Sequence, residues 1–160
     1  MSYSLALVNL PLVCDSNGGK VKEPSDVAGI CGDMASLAQE SFQVLTLDIR
    51  SQLINRHLVS LGTVESTIVR ARETFRPAIS DGASAIVIVH NHPSGDTTPS
   101  REDIEATRSL IEAGRIVGIP VFDHVIMGRD AEGNAAHLSL RERNLCTFNY
   151  LIPKSKGKEG

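Results

Sequence analysis

The sequence predicts a single α/β or α+β domain in which helices pack against a central mixed sheet. Three observations carry that prediction. Strand-like and helix-like hydrophobic patterns interleave along most of the chain. The β-branched run Ala85-Ile86-Val87-Ile88-Val89 has the character of a strand covered on both faces. A chain of 160 residues, 41% hydrophobic and 22% charged, suits one globular core.

Residues 5–13 are apolar apart from Asn9 and read as an N-terminal strand, far too short to span a bilayer. No Lys or Arg precedes Lys20, which argues against a secretory signal or a lipoprotein signal ending at Cys14. Turn formers fill 15–24, so 1–23 is expected to form a strand and a turn-rich connection. Ser25 or Asp26 then caps a helix whose face is Val27, Ile30, Cys31, Met34 and Ala38. Residues 42–47 form a mostly buried strand, and a polar turn at 50–52 leads to a second strand at 53–59, making a hairpin.

The next helix places Ala71, Phe75, Ala78 and Ile79 on one side, with Pro77 expected to kink it and Gly82 to end it. The run at 85–89 follows, then a loop with Pro93, Gly95 and Pro99. A helix from Ser100 to about Gly114 buries Ile104, Leu110 and Ile111, and strands near 121–127 and 136–140 complete the sheet. The main domain is 24–150, and 151–160 is a solvated, disordered tail.

Sixteen Lys plus Arg against nineteen Asp plus Glu give a net charge of −3, not the basic balance of a general phosphate grip. The cluster Arg70, Arg72 and Arg76 is diluted by Glu65, Glu73 and Asp81 and reads as a solvated helix face. Cys14, Cys31 and Cys146 are odd in number and far apart, which points to reduced thiols in a cytoplasmic protein.

The chemistry concentrates in residues 90–103. Side chains alternate along a strand, so His90 and His92 point to one side at the end of the β-branched run, and Asn91 faces the other way to anchor the loop. Asp103 lies in the first turn of the next helix, after a loop that can fold back on the strand. Two histidines and a carboxylate match a catalytic zinc site, which keeps a fourth position for water. Ser100-x-x-Asp103 is equally a plain capping box, in which both side chains satisfy N–H groups at the helix start. His124 reads as a histidine hydrogen-bonded within the sheet, because a fourth protein ligand would close the open position. His57 and His137 have no motif context and receive no role.

The string H-x-H-x7-S-x2-D, from His90 to Asp103, is the JAMM motif of the JAB/MPN+ metallopeptidase-like superfamily. The stretches at 72–79, 83–114, 118–128 and 138–144 look like the RadC family, and the resemblance runs from Pro24 to Leu145. The length leaves no room for the helix-hairpin-helix region of full-length RadC proteins, so the chain resembles the short, single-domain members often carried on mobile elements. One departure is visible: Arg70-Ala71 stand where the family usually has His-Pro.

The resemblance implies a mixed, curved JAB/MPN-type sheet flanked by helices, with an architecture related to that of the cytidine deaminases. It implies one zinc ion held by His90, His92 and Asp103, with Ser100 as the hydrogen-bonding helper. The motif also calls for an upstream glutamate, for which Glu40, Glu65 and Glu73 are the candidates. Glu40 is preferred because it opens the 42–47 strand as the family's glutamate does, and Glu73 is the runner-up, its plain alternative being a surface ion pair with a neighbouring arginine. The implied activity is zinc-dependent hydrolysis of a peptide or isopeptide substrate. The alternative is a DNA-repair-associated or mobile-element accessory protein, in which nucleic acid enters through the family's label alone. A zinc deaminase is excluded by the absence of its H-x-E and P-C-x-x-C signature. His-Asn-His is not an HNH nuclease motif, which spreads over a far longer stretch.

Overall fold

The computed structural model describes residues 19–62 and 70–148. The expected N-terminal strand, Cys14, Glu65 and the tail lie outside the described residues. Helix α1 (Pro24–Cys31) runs into a 3-10 turn (Gly32–Ser36), followed by the hairpin of β1 (Ser41–Leu47) and β2 (Leu53–Leu61). Helix α2 (Ala71–Ser80), strand β3 (Ala85–Asn91), helix α3 (Arg101–Val117), and strands β4 (Val121–Arg129) and β5 (Ala135–Ser139) complete the order. The five strands form one sheet in the order β2-β1-β3-β4-β5. Among the described residues only β3 and β4 pair in parallel, joined through α3, so the sheet is mixed as its sequence predicts.

Two apolar clusters lie on opposite faces. Phe42, Val44, Ile86 and Ile88 pack with Phe75 and Ala78 of α2 and Leu110 of α3. Leu45, Leu47, Val87 and Val89 pack with Val27 and Cys31 of α1 and with Met34. Strand β3 is buried along its whole length, which explains its continuous β-branched character. Cys31 and Cys146 are buried free thiols, and burial pushes the Cys31 thiol up to about 12. Among the described residues, no helix is long and apolar enough to cross a membrane.

Four local expectations need correction. Helix α1 is capped at Glu23, not Ser25 or Asp26: Asp26 sits at the third helical position, and its carboxylate accepts the backbone N–H groups of Lys22 and Glu23. Tightening into the 3-10 turn then rotates the chain off the helical period, so Ala38 falls outside the helix and is exposed. Ile79 is 60% exposed, because α2 ends one residue later and its packing surface stops at Ala78. Helix α2 continues past Pro77 to Ser80, and Gly82 in the left-handed region marks its end as expected.

Helix α3 runs past Gly114 to Val117 and ends at Gly118 in the left-handed region. Gly114 is therefore an interior contact rather than a stop. A Cβ there would lie 2.6 Å from the Ile119 carbonyl oxygen and 3.1 Å from the Phe75 ring. Gly29 in α1 has nothing within 4 Å of the same position. Alanine at an open helical site gains about 0.5–1 kcal/mol over glycine, whereas overpacking costs roughly 1–3 kcal/mol. Gly29→Ala should raise the urea midpoint and Gly114→Ala should lower it; a rise for both would show that α3 yields freely at its crossing with α2.

Candidate metal centre

Strand β3 delivers the two histidines to the end of the sheet. His90 pairs across the β1 register with Phe42, and His92 follows just beyond the end of β3 on the same face. That face is the one covered by α2 and α3. The loop after His92 lies flat on β4, where the Arg129 N–H bonds the Gly95 carbonyl at 2.9 Å and the Arg129 guanidinium bonds the Pro93 carbonyl at 2.8 Å. Gly128 permits this approach, since a Cβ there would collide with the Gly95 carbonyl oxygen. The fold-back places the Asp96 carbonyl 2.6 Å from His92 Nδ1. A carbonyl only accepts, so His92 carries a proton on Nδ1, and its Nε2 is the nitrogen turned toward Asp103.

The expected capping box forms at the start of α3, and its carboxylate also faces the two histidines. Ser100 caps α3 by accepting the Asp103 N–H at 3.0 Å, and the Asp103 carboxylate accepts the Ser100 N–H at 2.8 Å. The same carboxylate lies 3.3 Å from His90 Nε2 through one oxygen and 3.3 Å from His92 Nε2 through the other. The two imidazole Nε2 atoms are 2.9 Å apart. One ligand-type atom from each of His90, His92 and Asp103 therefore lies within 4.8 Å of the others.

This donor set suits a divalent first-row ion. Ligand bonds of roughly 2.0–2.1 Å in a tetrahedron put neighbouring ligands about 3.3 Å apart, which is the carboxylate–imidazole separation found here. Three protein donors also leave one position open, as catalytic sites do. The electrostatics agree. Burial pushes the Asp103 carboxyl up, but the contacts with His90 and His92 outweigh it and hold the group well below the usual carboxylate range. The Asp103 contact raises His92 above its ordinary 6.5 against the effect of burial, and the Glu40 charge adds to the rise.

Glu40 is half-buried immediately ahead of β1. Extending the β1–β3 register by two residues puts Glu40 across from His92. Asn91 clamps the peptide on both sides of Glu40: its carbonyl oxygen accepts the Ser41 N–H at 2.7 Å, and its amide donates to the Gln39 carbonyl at 3.1 Å. Asn91 thus anchors the entry to β1, not the loop that follows β3. The Gly62 N–H further fixes the Glu40 carbonyl at 2.9 Å. Glu73 instead pairs with Arg72 at 2.8 Å on the outside of α2, the surface ion pair expected as its plain alternative.

His124 is hydrogen-bonded inside the sheet, as its setting predicts. Its Nε2 lies 2.7 Å from His90 Nδ1, and its Nδ1 lies 2.5 Å from Thr107 Oγ1. Burial and the neighbouring His90 push His124 well below its ordinary value. Thr107 escaped the sequence reading; its one signal is a position four residues after Asp103, on the same side of α3. His57, given no role from sequence, bonds Asp81 at 2.6 Å, and Thr46 donates to the same carboxylate oxygen at 2.6 Å. That group ties the hairpin to the end of α2 and lies apart from the histidine pair on the sheet.

The profile of the RadC-like JAB domain matches residues 21–145. The chain is 45% identical over 129 residues to a UPF0758 protein of Caldanaerobacter subterraneus subsp. tengcongensis, covering 80% of this chain and 53% of that protein. It is 48% identical over 109 residues to a UPF0758 protein of Desulforamulus reducens, covering 68% and 48%. A UPF0758 protein of Moorella thermoacetica is 44% identical over 126 residues, covering 78% and 53%. The chain spans about half the length of these curated relatives. With a mixed sheet flanked by helices and a profile match over most of its length, the chain belongs to the RadC-like JAB domain family.

Proposed function

We propose that this domain is a zinc-dependent hydrolase of the JAMM metallopeptidase type, acting on a peptide or isopeptide bond. The observation that carries the reading is the convergence of His90 Nε2, His92 Nε2 and the Asp103 carboxylate within 4.8 Å, with the Glu40 charge acting on His92. His90, His92 and Asp103 would hold the ion. When bound, zinc supplies Lewis acidity, polarising a carbonyl and lowering the pKa of a coordinated water from 15.7 to about 7.

The chain's own residues supply the rest. Glu40 takes a proton from the attacking water and returns it to the leaving nitrogen as the C–N bond breaks. Its placement depends on the Asn91 clamp and the Gly62 bond. Ser100 accepts the Asp103 N–H through its oxygen and directs its own proton to the developing oxyanion, an effect worth roughly 3–4 kcal/mol in comparable sites. Asp103 orients both imidazoles while its cap fixes the first turn of α3.

The purified chain should bind one zinc ion, and the double variant His90→Ala/His92→Ala should bind none by elemental analysis. Full occupancy in that variant would remove both histidines from the ligand set.

Proton competition gives a second outcome. A metal requires His92 in its neutral form, and Asp103 raises His92 above 6.5 in the metal-free protein. A raised value means that protonation sets in above the ordinary histidine range as pH falls. Zinc affinity should therefore begin to weaken while the pH is still above 6.5 and fall about tenfold per pH unit for each proton displaced. Affinity flat from about pH 8 to pH 5 would rule out histidine ligation.

Substitutions separate capping from ligation. Asparagine still accepts the Ser100 N–H, and loss of a cap costs only about 0.5–2 kcal/mol. Asp103→Asn should thus leave the thermal midpoint of the chelated protein nearly intact while zinc affinity falls severalfold or more. Glu40→Gln should keep zinc and lose turnover on any amide substrate found, because an amide accepts no proton from water. Unchanged zinc affinity with a lowered metal-free midpoint in Asp103→Asn would make Asp103 a capping residue and end the hydrolase reading.

A further inference from the structure

We infer that Thr107 and His124 are positioning residues that hold His90 with its proton on Nδ1, so that Nε2 is presented to the Asp103 side as a lone pair. The use of this tautomer rests on the metal site proposed above; its existence follows from the directions of three hydrogen bonds. Thr107 is fully buried on α3, with Oγ1 only 2.6 Å from the Asp103 carbonyl oxygen. A carbonyl oxygen accepts and never donates, so the single hydroxyl proton of Thr107 is committed to that bond.

The same Oγ1 lies 2.5 Å from His124 Nδ1. With its proton committed, the hydroxyl acts there as an acceptor, and His124 must carry a proton on Nδ1. His124 is 2% exposed, and its two ring nitrogens meet a hydroxyl and another imidazole rather than a carboxylate. A buried ring in that setting is neutral and has one N–H. Its Nε2 is then a lone pair 2.7 Å from His90 Nδ1, which must be the donor. The chain runs in one direction from His90 through His124 and Thr107 to the first turn of α3.

The opposite tautomer has its own attraction. With its proton on Nε2, His90 would direct it toward Asp103 at 3.3 Å and His92 at 2.9 Å, the very place a metal would be held. One hydroxyl that touches neither His90 nor His92 decides between the two states. Metal ligands of this kind commonly depend on the hydrogen bond made by the second ring nitrogen, and loss of such a partner costs roughly 10–100-fold in metal affinity.

The test uses the full chain, 15N-labelled and chelated free of metal, with histidine tautomers read from long-range 1H–15N correlations at about pH 8, above the histidine range. Wild type should show His90 and His124 both protonated on Nδ1. Thr107→Val keeps the shape but loses the hydroxyl; the chain should reverse, moving the protons of both histidines to Nε2, and zinc affinity should fall roughly 10–100-fold. Thr107→Ser, which restores the hydroxyl, should restore the wild-type pattern and affinity. A loss of packing alone would not move a proton across the His90 ring. Should Thr107→Val fail to fold, His124→Leu leaves His90 Nδ1 without its acceptor and should shift His90 to the Nε2–H form.

His90 protonated on Nε2 in wild type, or on Nδ1 in every variant, overturns the inference. Wild type that shows the Nδ1 pattern but takes up no zinc defeats the metal reading and leaves the tautomer assignment standing. Zinc uptake with the pattern absent does the reverse.

Discussion

The Asp103 carboxylate stands 3.3 Å from each of two imidazole nitrogens that are themselves 2.9 Å apart, and the surrounding structure is arranged to keep that contact. The two rings present nitrogen atoms to each other at a distance that only a shared cation, a proton or a metal ion, makes favourable. Asp103 supplies the balancing negative charge, and its second task at the start of α3 leaves it little freedom to turn away. One residue therefore couples the helix start, the strand end and the charge of the site. Burial alone would neutralise such a carboxyl; the two histidines reverse that tendency.

The parts of this site legible in the sequence are those whose geometry is local. The two-residue spacing of His90 and His92 fixes a shared face whatever the rest of the fold does. The three-residue spacing of Ser100 and Asp103 likewise fixes a cap. What no local spacing shows is that the capping carboxylate also reaches both histidines, because that depends on the 93–99 loop folding onto β4 over Gly128. Glu40 is 50 residues before His90 in the chain and becomes its neighbour's counterpart only through the antiparallel β1–β3 register. Family resemblance supplied that placement; the hydrophobic pattern did not. Thr107 stayed hidden and Asn91 was given the wrong partner for the same reason, since each acts through a group that the sheet or helix brings from far away.

The misread details of the fold have physical causes of the same kind. Ser25 and Asp26 are both good capping residues by type, yet Pro24 sets the first helical turn one step earlier and Asp26 caps from inside it. Gly114 carries the usual mark of a helix end, but here it makes room for Phe75 and the Ile119 carbonyl. Strand β3 and the buried face of α3 are legible because long, periodic segments average over such exceptions, whereas single boundary residues do not.

The position of the site follows from the one parallel pair in the sheet. A parallel crossover requires α3 to leave the carboxyl end of β3 and return to the start of β4, so the amino end of α3 lies beside the end of β3. Open α/β sheets place their ligand sites outside the carboxyl ends of their parallel strands for this reason. Here β1 enters antiparallel on the other side of β3, bringing the start of a strand, and Glu40 with it, to the same end. The amino end of α3 carries partial positive charge and unpaired N–H groups, which favour the Asp103 carboxylate there even before the histidines contribute. Rigid strands thus hold His90 and His124, a capped helix start holds Asp103 and Ser100, and Asn91 ties Glu40 to β3. Asp103, the imidazoles and Glu40 come to one end of the sheet because one crossover and one antiparallel neighbour share a single strand end.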